Sequence, residues 1–292
     1  MRTSPDRRRC LQALGVTLAA PAWPSLAAAP DRPLRIGLAP YLPAARLMLQ
    51  FRPLREHLEA QLARPVQFYT ARDFRGLAED ARAHAFDAAM LPAHLAALAL
   101  SDWGYLPMSG TLSATQVLIL VRKDGPVRTA ADLRGRAIGT LDALSLVAGV
   151  ALRWLGEQGL ALGSGAQAVR VAVQPTVSSA LHALDRGEVA AVAVAEGQLR
   201  GLSADTPVDH TNLATLRNIP GPLFVAAPAL PLADRRALSQ ALLNFRPDPN
   251  APETAANTRH HPLDPDALAN LRAYVDAARK LMEEGPRLGS GS

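Results

Sequence analysis

Phe86-Asp87-Ala88-Ala89-Met90-Leu91-Pro92-Ala93-His94 is the stretch on which the fold turns. A short apolar run ends at Leu91, and Pro92 then opens a helix that runs to about Leu100, since proline suits a first helical turn. Working upstream, Leu34-Arg35-Ile36-Gly37-Leu38 reads as a strand and Pro53 to Leu62 as a helix whose Leu54, Leu58 and Leu62 fall four apart. A second strand, Val66 to Tyr69, leads into a helix from Phe74 to Ala83. Strands alternating with helices give a βαβαβα unit, a sheet wrapped by helices.

Downstream, Val117-Leu118-Ile119-Leu120-Val121 is apolar without alternation, the pattern of a strand buried on both faces, here one that can pass between lobes. Thr129 and Asp132 have capping-box spacing. Strand Ala137 to Thr140, helix Ser145 to Gln158, strand Val169 to Val173, helix Ser178 to Asp185 and strand Val189 to Ala195 follow, a second α/β unit nested in the chain. Leu223 to Ala226 reads as a strand returning to the first unit, with helices Leu232 to Leu243 and Asp266 to Met282 after it. Between them, Arg246 to Asp264 carries Pro247, Pro249, Pro252 and Pro262 and reads as a surface loop. The expected organisation is lobe 1 from 30–114 and 222–284, lobe 2 from 115–221, and a disordered tail at 285–292.

The start of the chain reads as an export signal at residues 1–29: Arg7-Arg8-Arg9, an apolar run from Leu11 to Ala20, then Ser25-Leu26-Ala27-Ala28-Ala29. Asp6-Arg7-Arg8-Arg9-Cys10-Leu11 looks like a twin-arginine signal, and cleavage near Ala27 to Ala29 is expected. Loss of that segment removes four arginines and one aspartate, so the formal net charge falls from +5 to +2. Nucleic acid is therefore not an expected partner. The only cysteine, Cys10, leaves with the signal, and neither disulfide nor lipid anchor is expected in the mature chain.

Enzyme signatures do not emerge. His-Glu-x-x-His, Gly-x-Ser-x-Gly and a phosphate-binding Gly-Lys-Ser/Thr are all missing. Gly163-Ser164-Gly165 precedes a strand, the wrong place for a dinucleotide fingerprint, and reads as a turn; His260-His261 reads as a solvated pair in the proline-rich loop. No catalytic residue, metal or cofactor is expected. The informative positions are strand-to-helix junctions, where unpaired N–H groups and the helix dipole favour anions. Ala39-Pro40-Tyr41, Leu91-Pro92-Ala93-His94, Leu144-Ser145-Leu146 and Pro175-Thr176-Val177-Ser178-Ser179 are such junctions. In open α/β sheets they converge on the crevice at the carboxyl ends of the strands. Two readings stand for each: Ser145, Thr176 and Ser178 either cap a helix or meet a ligand. His94 is a ligand donor or a helix-side histidine. Tyr41 walls a pocket or packs, and Glu196 accepts from a ligand or is a solvated strand-end charge. Trp103 and Tyr105 are expected to pack.

Taken together, Leu34 to Pro40, Pro53-Leu54 with Leu58, Phe86 to His94, Thr129-Ala130-Ala131-Asp132-Leu133-Arg134-Gly135-Arg136-Ala137-Ile138-Gly139, and Ser178 through Leu184 to Gly187-Glu188-Val189 resemble the phosphonate-binding periplasmic proteins of ABC importers, over about residues 33 to 245. The resemblance implies an α/β type II periplasmic binding fold, two lobes joined by two hinge strands that close on a ligand. It implies a periplasmic, monomeric carrier of a small anionic or polar ligand such as a phosphonate or another oxyanion. Its partner would be an inner-membrane ABC permease or the outer domain of a sensor kinase, and an enzyme on the same architecture is the alternative from another class. It places Tyr41, Pro92, Ala93, His94, Ser145, Thr176, Ser178 and Ser179 around the ligand, with Glu196 opposite. The chain departs from the family where serine-rich text before a Ser-Gly pair is usual: Leu144-Ser145-Leu146-Val147-Ala148-Gly149 keeps one serine. A histidine of the family is Ser178 here, and an expected aspartate is Ala190.

Overall fold

The computed structural model describes residues 32–112, 116–163, 165–199, 202, 209–250 and 256–283. Residues 1–29, expected to be an export signal, and the tail beyond 283 lie outside the described residues. Two mixed sheets, each flanked by helices, form two lobes.

The first sheet begins with β1 (Leu34–Leu38), a central strand because Leu34, Ile36 and Leu38 are all buried. Parallel to it run β2 (Val66–Thr70) on one side and β3 (Ala88–Leu91) on the other. Antiparallel β10 (Pro220–Ala226), β4 (Leu106–Leu112) and the short β11 (His260–His261) complete the order β11-β4-β10-β3-β1-β2. Helices α1 (Ala44–Gln50), α2 (Arg52–Leu62) and α7 (Leu232–Asn244) cover one face through Leu47, Leu54, Leu58, Leu238 and Leu242. On the other lie α3 (Phe74–Arg82), α4 (Ala93–Asp102), α8 (Pro265–Arg272) and α9 (Val275–Glu283). Asp73 starts α3 by accepting from the Gly76 N–H at 2.8 Å.

The second sheet has the order β7-β6-β8-β5-β9. Here β6 (Ala137–Thr140) is parallel to β7 (Arg170–Val173) and β8 (Ala191–Ala195), while β5 (Val117–Arg122) is antiparallel to β8 and to β9 (His210–Leu216). The unbroken apolar run of β5 is explained by its two faces: Leu118 and Leu120 pack on α6 (Val177–Asp185), Val117, Ile119 and Val121 on the opposite side. That opposite side carries α5 (Leu146–Glu157), which presents Ala148, Gly149, Val150, Ala151, Leu152 and Leu155 inward.

The outer face of each sheet has its own apolar cluster, but the inner faces share one, which runs from Phe74, Leu77 and Leu95 of the first lobe to Leu144, Val150 and Leu155 of the second. Helix α4 sits in the middle of it. A helix apolar all round must be buried all round, and Ala93 to Ala99 are. The chain crosses between lobes twice, from β4 to β5 and from β9 to β10. At the second crossing Asn218 takes a left-handed φ of 56°, and a Cβ on Gly221 would lie 2.3 Å from the Thr111 carbonyl oxygen, so the two hinge segments touch backbone to backbone.

Three sequence expectations are corrected. The long terminal helix is two helices, α8 and α9, with Tyr274 buried at the break. His260 is not solvated: it is 4% exposed, pairs with Thr111 in β11, and stacks edge-on to Phe224. The proline-rich segment is therefore not wholly surface loop. Among the described residues, no group of three or more His, Cys, Asp or Glu side chains gathers as a metal site. Strand β5 pairs within the second sheet directly after the first crossing, and β10 pairs within the first sheet directly after the second.

Candidate functional site

The carboxyl ends of β1, β3 and β6 meet where the lobes touch. After β3, Pro92 and Ala93 are buried and set His94 in the first turn of α4, fully buried. Its Nε2 lies 2.8 Å from the carbonyl of Leu144 in the other lobe. A carbonyl only accepts, so Nε2 carries the proton and Nδ1 is a bare acceptor. Burial draws the ring down to about 4, only partly offset by the bond to Leu144, so it is neutral. Nδ1 has no hydrogen-bond partner. The ring rests on Gly149 of α5, where a Cβ would come within 2.9 Å of its Cγ.

After β6, Asp142 organises the facing loop. Its Oδ1 accepts from the Leu144 N–H at 2.7 Å, and its main-chain carbonyl accepts from the Ser145 hydroxyl at 2.8 Å. Ser145 in turn caps α5, accepting from the Ala148 N–H at 3.2 Å. The carboxylate also faces the backbone N–H of Phe74 at the start of α3 in the first lobe, an electrostatically favourable approach looser than the bond to Leu144. Desolvation raises its pKa, while the Leu144 and Phe74 N–H groups and Arg75 pull down and Asp73 pushes up.

After β1, Tyr41 packs edge-on against Phe74 with ring centroids 5.8 Å apart. Part of its ring meets solvent, but the hydroxyl is enclosed without a partner, and burial raises its pKa. At the end of β6, the Thr140 hydroxyl is likewise enclosed and unpartnered. Phe74 and Leu144 thus connect Tyr41, Asp142 and His94 into one contact between lobes. The seam continues along α5 and α9, where the Arg153 guanidinium lies 4.8 Å over the Tyr274 ring and a cavity of 360 Å³ opens beside it.

Of the residues singled out by sequence, Tyr41, Pro92, Ala93, His94 and Ser145 come together here. Thr176 and Ser179 hold each other in a capping box at the start of α6, with the Ser179 N–H bonded to Thr176 Oγ1 at 3.0 Å, and Ser178 belongs to the same turn. Glu196 is exposed, in a 3₁₀ turn after β8. Asp142 and Thr140 escaped the reading of the sequence. Nothing in the sequence sets either apart.

A family model described as ABC transporter, phosphonate, periplasmic substrate-binding protein matches residues 36–268. The chain belongs to this family. No curated protein sequence matches it. Among solved structures, XAC2383 from Xanthomonas citri bound to ATP has a TM-score of 0.69 at 18% identity, covering 87% of this chain and 99% of that one. A binding protein component of the ABC phosphonate transporter from Pseudomonas aeruginosa (PA3383) gives 0.63 at 16%, covering 89% and 91%. PhnD1 from Prochlorococcus marinus in complex with methylphosphonate gives 0.61 at 12%, covering 87% and 100%. These structures share the two-lobed fold. The phosphonate-type family consists of periplasmic substrate-binding proteins that serve ABC transporters, not of enzymes.

Proposed function

We propose that this member of the family captures one small polar solute between its lobes and delivers it to an inner-membrane ABC permease. In this reading it is an exported monomer, with residues 30–114 and 222–284 as one lobe and 115–221 as the other. The observation that carries the reading is the set of enclosed, unpartnered polar atoms where the strand ends meet between the lobes, Tyr41 Oη, His94 Nδ1 and Thr140 Oγ1, with Arg153 Nε a fourth farther along the seam. A buried polar group without a partner costs about 1–3 kcal/mol. Three of them at neighbouring strand ends are hard to account for as packing and easy to account for as groups that a solute satisfies. The lobes meet through apolar contacts and two narrow crossings, an arrangement suited to hinge opening and closure on a ligand.

The fold leaves the solute's chemistry to the side chains, since related architectures hold ligands as different as ATP and methylphosphonate. Thermal-shift screening of small polar solutes against the wild-type protein and His94→Phe tests the proposal. A stabilising solute whose effect disappears in the variant is expected. A protein that no solute stabilises, or one stabilised equally with and without the imidazole, contradicts it.

A further inference from the structure

The outer end of the second sheet, away from both lobe crossings, carries a pocket of its own. The crossings reach this sheet where Val117 of β5 pairs with Leu216 of β9, and the opposite end of that pair is Arg122 beside His210. At about 3.4 Å per residue, Arg122 is roughly 17 Å from the crossing. Strands β6 and β8 begin at the same outer end, just after Arg136 and just after Ala190. A pocket of 140 Å³ opens there, bordered by Arg122 and Arg136 and walled by Pro126, Val127, Val189 and Gly187. Gly187 turns the chain with a left-handed φ of 72°, and a Cβ on it would lie 3.9 Å from Arg122 Nη1, so the guanidinium rests against this turn.

Among the described residues no acidic side chain lines the pocket, and neither guanidinium makes a hydrogen bond or ion pair. The carboxylates nearby are engaged elsewhere. Both oxygens of Glu188 accept from Arg186, Oε2 at 3.0 Å from Nη2. Asp132 is close enough to sense the charge of Arg136, but its Oδ2 is taken by the Arg128 and Thr129 N–H groups and the Thr129 hydroxyl. In the segments that frame this end, the cations Lys123, Arg128, Arg134, Arg170 and Arg186 are matched in number by Asp124, Asp132, Asp185, Glu188 and Asp209. Arg122 and Arg136 are the surplus. Their charges repel across one small pocket, and an anion between them turns that repulsion into two attractions. Each guanidinium is a planar fork of donors with no acceptor, shaped to grip two oxygens at once. Two forks together call for a group with more than two oxygens, which a phosphoryl group has and a single carboxylate has not.

We propose that this pocket is a second oxyanion site, separate from the interlobe seam, which takes a phosphoryl group between Arg122 and Arg136. The group comes from free phosphate or from a phospholipid headgroup, and the site lies within one lobe, so filling it does not depend on closure. Inorganic phosphate is titrated calorimetrically into wild type, Arg122→Gln, Arg136→Gln and His94→Phe, with circular dichroism confirming that each variant is folded. The same proteins are sedimented with vesicles of phosphatidylcholine alone and of equal parts phosphatidylcholine and phosphatidylglycerol. The expected result is a binding event that His94→Phe leaves in place and that each arginine substitution weakens about tenfold or more, as for loss of a hydrogen-bonded charge. Sedimentation with the phosphatidylglycerol vesicles that is lost with either arginine identifies the headgroup as the source; phosphate binding without sedimentation identifies the free ion. Phosphate binding that disappears in His94→Phe and is untouched by the arginine substitutions belongs to the seam and overturns the proposal. Neither phosphate nor vesicle binding in wild type, or binding from which the arginine substitutions remove nothing, overturns it as well.

Discussion

Replacing Gly149 by alanine puts a methyl group into the seam between the lobes. The added carbon would lie 2.9 Å from Cγ, 3.1 Å from Cδ2 and 3.3 Å from Cβ of His94. Carbon atoms in comfortable contact stand about 3.5–4.0 Å apart, and the atoms struck belong to the base of the ring, fixed by the Leu144 bond and by a fully buried helix. Overpacking of this kind costs about 1–3 kcal/mol. Because the colliding groups sit on different lobes, the strain is relieved by parting them, which shifts the closed-to-open ratio by roughly 5- to 150-fold toward open. Small-angle X-ray scattering of the ligand-free protein should give a larger radius of gyration for Gly149→Ala than for wild type. The urea midpoint should move less than 3 kcal/mol of strain confined within one lobe would require. An unchanged radius of gyration together with a lowered midpoint would show that the contact is not at a movable interface and would refute the reasoning.

Tyr41→Phe and Thr140→Val each remove an enclosed, unsatisfied hydroxyl, so each is expected to raise the melting temperature of the ligand-free protein while reducing the shift a bound solute produces, for a gain of up to about 1–3 kcal/mol; a fall in melting temperature in both contradicts this. His94 and His260 are buried with values near 4 against an ordinary 6.5, so as pH falls the unfolded chain takes up protons first. Stability from these rings is full above about pH 6.5 and is lost between there and about pH 4, by roughly 3 kcal/mol per ring at most. His260→Phe should flatten part of that slope in urea titrations at stepped pH, and an unaltered slope in the variant would count against it. Gly221→Ala forces a Cβ to 2.3 Å from the Thr111 carbonyl oxygen, a backbone contact that cannot swing away, and is expected to lower the urea-unfolding free energy by at least about 1–3 kcal/mol; a wild-type value contradicts the close hinge approach.

Much of the architecture is visible in the sequence because burial writes itself into periodicity. Leu34 to Leu38, apolar but for Arg35, Ala88 to Leu91 and Val117 to Val121 are short apolar runs, and the structure makes strands of them. What escapes lacks that imprint. Strand β4 contains Pro107, Ser109, Gly110 and Thr111, and β9 is an edge strand with polar His210, Thr211 and Asn212, so neither shows an apolar run. The break between α8 and α9 falls at Ala273 and Tyr274 with no glycine or proline to announce it; tertiary packing of Tyr274 against Arg153 sets it. His260 looked solvated because prolines surround it, yet the antiparallel pairing with β4 draws it inside.

The site was legible in part for a similar reason. Helix starts after strands can be located from sequence, and His94, Ser145 and Tyr41 were found that way. Which helix starts face the opposite lobe is a property of lobe packing that periodicity does not encode; the Thr176 to Ser179 turn carries its own capping box. Asp142 has no signal in the sequence because a lone acidic residue in a loop looks like any solvated charge. Its carboxylate matters only once Leu144 is seen to tie it to His94 across the seam.

Native mass spectrometry of the protein taken from the periplasmic extract of its producing cell, beside His94→Phe prepared in the same way, tests the central claim most directly. One small polar molecule bound per wild-type chain, and its loss from the variant, is the predicted result. A wild-type chain that carries no small molecule, or an identical bound mass on both proteins, would contradict it.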